Sequence, residues 1–360
     1  MTQIGPNIIT FFMSNVGISI WPAWMKSFTN LTELSFEGST LSSIPDDAFS
    51  TMKRLTSLSL DNNHLHEVPL ALSGLTTLQS LYLEDNLISN ITWLPKSSSL
   101  STLSLGGNKL SNSTHISESL LPYANSLSDI DLEDNQLASI PELDFLAQVD
   151  SLDFSKNRLS SATSGTFPAK LDYLDISSNL FSAIPSFILT LQFVPTLALS
   201  SNIITGIKDT DFPSCIIFVQ LDNNRVTQLT DTSFPVDSGI LSLTLDDNPL
   251  GTISALAFNN LSNLTHLSLK NSYLTRLPIA LSSLKKLTLF DITSSRYLVC
   301  TCAEKSLQKW VQTMSAVTLL GDCGLTSISV FFATLSPRCP SVITAATDLR
   351  GAANLVASAP

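Results

Sequence analysis

One eleven-residue pattern, L-x-x-L-x-L-x-x-N-x-L, returns along most of this chain, and it limits what the chain can fold into more than any other feature. Clear copies are LTSLSLDNNHL from Leu55, LQSLYLEDNLI from Leu78, LSTLSLGGNKL from Leu100, LSDIDLEDNQL from Leu127 and VDSLDFSKNRL from Val149. LDYLDISSNLF from Leu171, VPTLALSSNII from Val194, IIFVQLDNNRV from Ile216, ILSLTLDDNPL from Ile240 and LTHLSLKNSYL from Leu264 follow. Weaker copies start at Ile8, Leu31 and Leu287, which makes thirteen. The pattern's positions are numbered here as places 1 to 11. Place 9 holds Asn63, Asn86, Asn108, Asn135, Asn157, Asn179, Asn202, Asn224 and Asn248, with Val16, Ser39, Ser272 and Ser295 in the weaker positions. A period of about 23 residues, sustained this long, points to one elongated array of stacked units instead of the two or three globular domains that 360 residues would otherwise suggest.

The L-x-L alternation is a strand signal, and each strand is too short to bury its apolar face alone. Stacking the copies in parallel buries the leucines continuously as a solenoid. The asparagine falls where the backbone leaves the strand, and its amide can satisfy turn groups left inside. Pattern and period resemble the leucine-rich repeat family. The resemblance implies an α/β repeat: a horseshoe with a parallel concave β-sheet, an irregular or 3-10 convex side, and the nine asparagines as a structural ladder. The return halves carry Ile44-Pro45, Val68-Pro69 and Leu277-Pro278, which suit short 3-10 segments, and they are closer to the animal-type repeat than to the plant type. The interval from Asn108 to Asn135 is longer than the rest, and its extra residues, SNSTHISESLLPYA, read as an outer bulge.

The organisation that follows is a short N-terminus (1–7), a solenoid (8–298), a cysteine-containing cap (299–340) and an Ala/Ser/Thr-rich tail (341–360) that reads as a linker. The segment CTCAEKSLQKW from Cys300, with Leu307, Trp310, Cys323 and Cys339, is similar to the C-terminal cap of extracellular leucine-rich repeat proteins. That similarity implies the pairs Cys300–Cys323 and Cys302–Cys339. A four-thiolate zinc site is the rival reading, although the paired CxxC knuckles of common zinc modules are missing. Paired cysteines would mean an oxidising compartment, with Cys215 left as a free thiol. The first copy would leave an apolar end bare, which is the expectation for a fragment or for a chain lacking its leader and N-terminal cap. Glycosylation acceptors stand at Asn30, Asn90, Asn112, Asn260 and Asn263, about as many as chance gives in a chain with 89 Ser or Thr residues.

Composition removes several function classes. A net charge of −11 argues against nucleic acid and anionic membrane surfaces as partners. No apolar run reaches the length a bilayer span requires. His64, His66, His115 and His266 fall in no metal-binding spacing, and no nucleophile elbow, P-loop or dinucleotide fingerprint occurs, so neither an enzyme nor a cofactor is expected.

What remains is the face beside the leucines. Places 3, 5 and 7 point outward, with place 8 in the adjoining turn. Fifteen of these positions hold Asp or Glu and two hold Lys, so the concave face sums to −13 and the rest of the chain to +2. Place 5 runs Asp131, Asp153, Asp175 over three consecutive copies, flanked by Asp129, Glu133 and Asp134. Stacked about 4.8 Å apart, such carboxylates should raise one another's pKa. Asp is disfavoured mid-strand, where place 5 is expected to lie, whereas Asp61, Asp85, Asp222 and Asp247 read equally well as turn chemistry. The candidate ligand surface is therefore Tyr82, Glu84, Asp129, Asp131, Glu133, Asp153, Tyr173 and Asp175. Its partner would be a basic protein or peptide, or an amine-bearing glycan, with bound Ca²⁺ a weaker expectation because no compact loop of ligands is evident. The family resemblance implies the ectodomain of a surface or secreted recognition protein. A structural or adhesive protein and an intracellular scaffold with reduced cysteines are the alternatives.

Overall fold

The structure, a computed structural model, describes residues 7–160, 165–314 and 316–335. Its main sheet has fourteen parallel strands in sequence order. The first two, Thr10–Ser14 and Glu33–Glu37, have five residues, and each later one has three. Equivalent places pair along the ladder, as Leu58 with Leu81 and Leu81 with Leu103. Thirteen strands come from the thirteen copies. The fourteenth, Thr318–Leu320, belongs to the cap and pairs with Leu289–Asp291.

Places 1, 4, 6 and 11 build the core, as with Leu55, Leu58, Leu60 and Leu65, all buried. Behind the strands each place-9 asparagine is buried and joins two coils. Asn157 accepts from Leu137 N through Oδ1 (3.0 Å), and its Nδ2 donates toward the carbonyls of Leu132, Phe154 and Ser155 (2.9–3.2 Å). Asn63, Asn86, Asn108, Asn135, Asn179, Asn202, Asn224 and Asn248 repeat this arrangement. Where serine replaces asparagine less is achieved: Ser295 Oγ accepts from Ser272 N, while the buried Ser39 Oγ has no partner.

The convex side carries the 3-10 turns Leu70–Gly74, Ser186–Thr190 and Ile279–Ser283, each entered from a proline (Pro69, Pro185, Pro278) at φ −62 to −70°. The outer bulge expected after Asn108 takes the form of a helix, Ser113–Leu120. Asn112 caps it by accepting from His115 N, and Ile116 and Leu120 are buried beneath it. A cap helix, Lys305–Thr313, closes the far end. Its Leu307 and Trp310 are buried, and Trp310 Nε1 donates to Leu284 O (2.9 Å). Cys300 and Cys323 form a disulfide. Cys302 is expected to pair with Cys339, which lies outside the described residues, as do residues 1–6 and the tail from 341. Cys215 is a free, half-buried thiol. At the first coil Phe12 and Ile20 are exposed (63% and 78%), while Trp21 is buried against Phe36 and Phe49.

Candidate binding surface on the concave face

The concave acids are organised by one backbone group that the sheet leaves over. Place-6 and place-8 amides donate to the next coil, as Leu132 N to Asp153 O and Asp134 N to Ser155 O. The place-7 amide has no such carbonyl, and in seven copies a carboxylate takes it. Asp131 Oδ1 accepts from Glu133 N (2.7 Å), Asp153 Oδ1 from Ser155 N (2.7 Å), Asp175 Oδ1 from Ser177 N (2.8 Å) and Asp291 Oδ1 from Thr293 N (2.9 Å). Where the acid stands at place 7 it serves the following coil: Asp61 takes Glu84 N, Asp222 takes Asp246 N, and Asp246 takes Lys270 N.

From the third copy on, place 5 is the last residue of its strand and not its middle, as in Asp129–Asp131, Ser151–Asp153 and Tyr173–Asp175. The expected penalty for mid-strand Asp does not arise, because these side chains form Asx-type caps on the turn that follows. Place 8 is left-handed in every copy, including Asp85 (φ 51°), Asp134 (φ 47°) and Asp247 (φ 56°). Asn, Asp and Gly tolerate that region best, so these acids answer a backbone demand.

Within the strip, Asp131, Asp153 and Asp175 are register partners on three adjacent strands. Ser104 Oγ donates to Glu84 Oε1 (2.6 Å) and lies 3.4 Å from Asp131 Oδ2. Tyr173 OH donates to Asp175 Oδ2 (2.7 Å). Lys156 Nζ sits on Glu133 Oε1 (2.6 Å). Asp129 is exposed at its strand's start; Tyr82, Glu84, Asp131, Glu133, Asp153, Tyr173 and Asp175 are half-buried. The structure thus brings Glu84, Asp131, Glu133, Asp153, Tyr173 and Asp175 into one strip, with Tyr82 on the strand two before that of Asp131.

Burial pushes the Asp131 carboxyl up to about 6, and the neighbouring charges of Asp153, Glu133 and Glu84 add to the effect. Asp153 is raised for the same reasons, with Asp175 and Glu133 as its charged neighbours. Burial, followed by the bond to Asp175, raises the Tyr173 hydroxyl. The sequence reading named like charge as the cause, whereas desolvation is the larger one. Ligand oxygens of Asp131, Glu133 and Asp153 converge within 4.8 Å of one another, the one group of this kind among the described residues. The Lys156 ammonium already supplies a cation there, and nothing further marks the group as a metal centre.

Two contributors escaped the sequence reading. Ser104 links Glu84 to Asp131. Gly106 leaves the room that Asp131 occupies: a Cβ there would lie 2.8 Å from Asp131 Oδ2. The available signal was a glycine at place 7, where both flanking copies carry Glu. Of the glycosylation acceptors, Asn112 is exposed, Asn90 Oδ1 faces His115 Nε2, and Asn263 Oδ1 accepts from Lys286. Asn30 is half-buried, and the Asn260 amide donates to Phe234 O (2.9 Å).

A family model described as leucine rich repeat matches residues 19–65, 29–88 and 238–296. Over 118 residues the chain is 30% identical to a Homo sapiens protein, Leucine-rich repeats and immunoglobulin-like domains protein 1. That stretch is 32% of this chain and 11% of the relative, so the chain spans about a tenth of it. A chain from the complex of Latrophilin 3, Unc5D and FLRT2 superposes with a TM-score of 0.68 at 20% identity, covering 84% of this chain and 95% of that one. The leucine-rich repeat domain of APL1B gives 0.62 at 20% identity, covering 86% and 88%. These likenesses show the fold. No helix among the described residues is long and apolar enough to cross a membrane.

Proposed function

We propose that this leucine-rich repeat solenoid is a protein-recognition module, working in an oxidising compartment outside the cytosol, whose acidic concave strip takes a cationic protein or peptide segment. The observation that carries the reading is the register-matched run Asp131–Asp153–Asp175, with Glu84, Glu133 and the Tyr173 ring beside it. Each Asp uses one oxygen on a backbone amide, which fixes the side chain's direction before any ligand arrives. Preorganised carboxylates that already repel one another gain most from an incoming lysine or arginine, because the ligand's charge lowers the cost of ionisation. The Cys300–Cys323 disulfide supports the oxidising compartment, since such bonds are rare where thiols are kept reduced. The superposed chain from the Latrophilin 3–Unc5D–FLRT2 complex shows this fold within a protein assembly.

The test is titration of a lysine/arginine-rich peptide into the full chain and into Asp131→Asn/Asp153→Asn. Asparagine keeps the amide cap through its carbonyl oxygen while removing the charge. Affinity should fall about tenfold or more, which is 1.4 kcal/mol, with melting temperature held or raised. Equal affinity for both proteins overturns the reading.

A further inference from the structure

Half of the acids of this molecule stand on the concave face, and none stands at place 10, on the rim beside it. Place 10 lies between the buried asparagine and the buried place-11 residue, and its amide is tied to the preceding coil. Arg158 N donates to Leu137 O, Leu180 N to Leu159 O, Ile203 N to Phe181 O and Arg225 N to Ile204 O (2.8–3.0 Å). The side chains of place 10 therefore project as one ladder along a rim of the solenoid. No copy has Asp or Glu at this place, and from the seventh to the twelfth copy places 12 and 13 have none either. Arg158 and Arg225 are exposed and form no ion pair among the described residues. Between them stand Leu180, 50% exposed, and Ile203. Arginine and large apolar groups without acids are the composition of an interface core and not of an ordinary solvated rim.

We infer that the cationic partner of the concave strip is this rim on a second copy of the same chain, with Arg158 and Arg225 of one copy seated on the acids of the other. The inference rests on the reading of the concave strip as a binding surface and names its partner. Arg158 and Arg225 are three rungs apart, about 14 Å at the usual strand spacing. Asp153 finds an acid three rungs away in both directions, Glu84 on one side and Asp222 on the other. In the second direction the strand of Tyr173 offers its half-buried ring opposite the position that Leu180 would take, and the next strand, where Ala198 is buried, sets no acid opposite Ile203. None of the five glycosylation acceptors lies on the rim from Arg158 to Arg225. A contact between two different faces is heterologous, so it propagates into chains or rings instead of stopping at a two-fold dimer.

The experiment is sedimentation velocity of the full chain at low salt and at about 0.5 M salt, where exposed charge pairs are screened. The wild type should sediment faster with rising concentration at low salt and return to monomer at high salt. Arg158→Glu/Arg225→Glu, changed on exposed side chains that hold no structural bond, should stay monomeric, as should Glu84→Lys/Asp153→Lys. Mixing the two variants should restore assembly, because each reversed face then meets its complement. A wild type monomeric in all conditions, or assembly unaffected by the arginine changes, overturns the inference. Peptide titration separates it from the underlying reading. If the wild type stays monomeric yet binds the basic peptide through Asp131 and Asp153, only the second-copy assignment falls; if binding ignores those carboxylates, both fall.

Discussion

Asp131→Asn should make this protein more stable above neutral pH and leave it unchanged near pH 4. The folded-state carboxyl of Asp131 is pushed up to about 6 from 3.8, chiefly by burial. A carboxyl raised in the folded state binds its proton more tightly there than in the unfolded chain. Its contribution to stability is therefore intact below the unfolded value and is lost as pH rises through about 6. A rise of that size has a ceiling of about 3 kcal/mol. Solvent reaches the half-buried side chain and its charged neighbours adjust, so about 1 kcal/mol is the expected net effect. The substitution keeps the acceptor that caps Glu133 N (2.7 Å), which confines the change to charge. Urea unfolding of both proteins between pH 4 and 8 measures it, read as the midpoint at constant slope. The two curves should meet near pH 4 and separate in favour of the variant between about pH 5 and 7. A gap that is independent of pH, or one that favours the wild type at high pH, would refute the argument that burial holds this carboxylate in an unfavourable charged state.

Asn157→Ala removes four hydrogen bonds and orphans Leu137 N, while the carbonyls of Leu132, Phe154 and Ser155 each keep one other donor, which should cost about 2–3 kcal/mol in urea unfolding; a loss under about 1 kcal/mol would show that water replaces the amide. Asp134→Gly relieves a left-handed residue at φ 47° and should raise stability by about 0.5–1 kcal/mol in the same assay. Gly106→Ala places a Cβ 2.8 Å from Asp131 Oδ2, so peptide affinity should drop with little change in melting. Replacing Cys300 and Cys323 together by alanine opens a loop with a sequence separation of 23 and should cost about 3 kcal/mol, seen as faster amide exchange in the cap helix Lys305–Thr313.

Much of this protein is legible in one dimension because the repeat converts sequence spacing directly into geometry. Leucines at places 1, 4, 6 and 11 have to face inward, so the parallel sheet and the asparagine register follow from the pattern alone, and the prolines of the return halves mark the 3-10 turns. Asn157 could be assigned its role without coordinates, since a turn that buries backbone groups at each recurrence needs something to satisfy them, and nine of the thirteen copies hold an amide there. Cys300, Leu307, Trp310 and Cys323 were readable as a seal on the last coil for a similar reason: a stack of apolar coils has to end somewhere.

The concave strip was legible as a row of charge but not as a structure. That place 5 ends its strand, and that Asp131, Asp153 and Asp175 each take the leftover place-7 amide, depends on where the ladder stops exchanging backbone bonds. Asp61, Asp222 and Asp246 cap amides 23 or 24 residues away, and Gly106 makes room for a carboxylate 25 residues on. The helix Ser113–Leu120, the cap strand Thr318–Leu320 and the pairing of Arg276 with the buried Glu304 (2.8 Å) were likewise settled only when distant segments met. A local pattern fixes which way a side chain points. Which backbone group is left without a partner, and which side chain can reach it, is decided by the neighbouring coil.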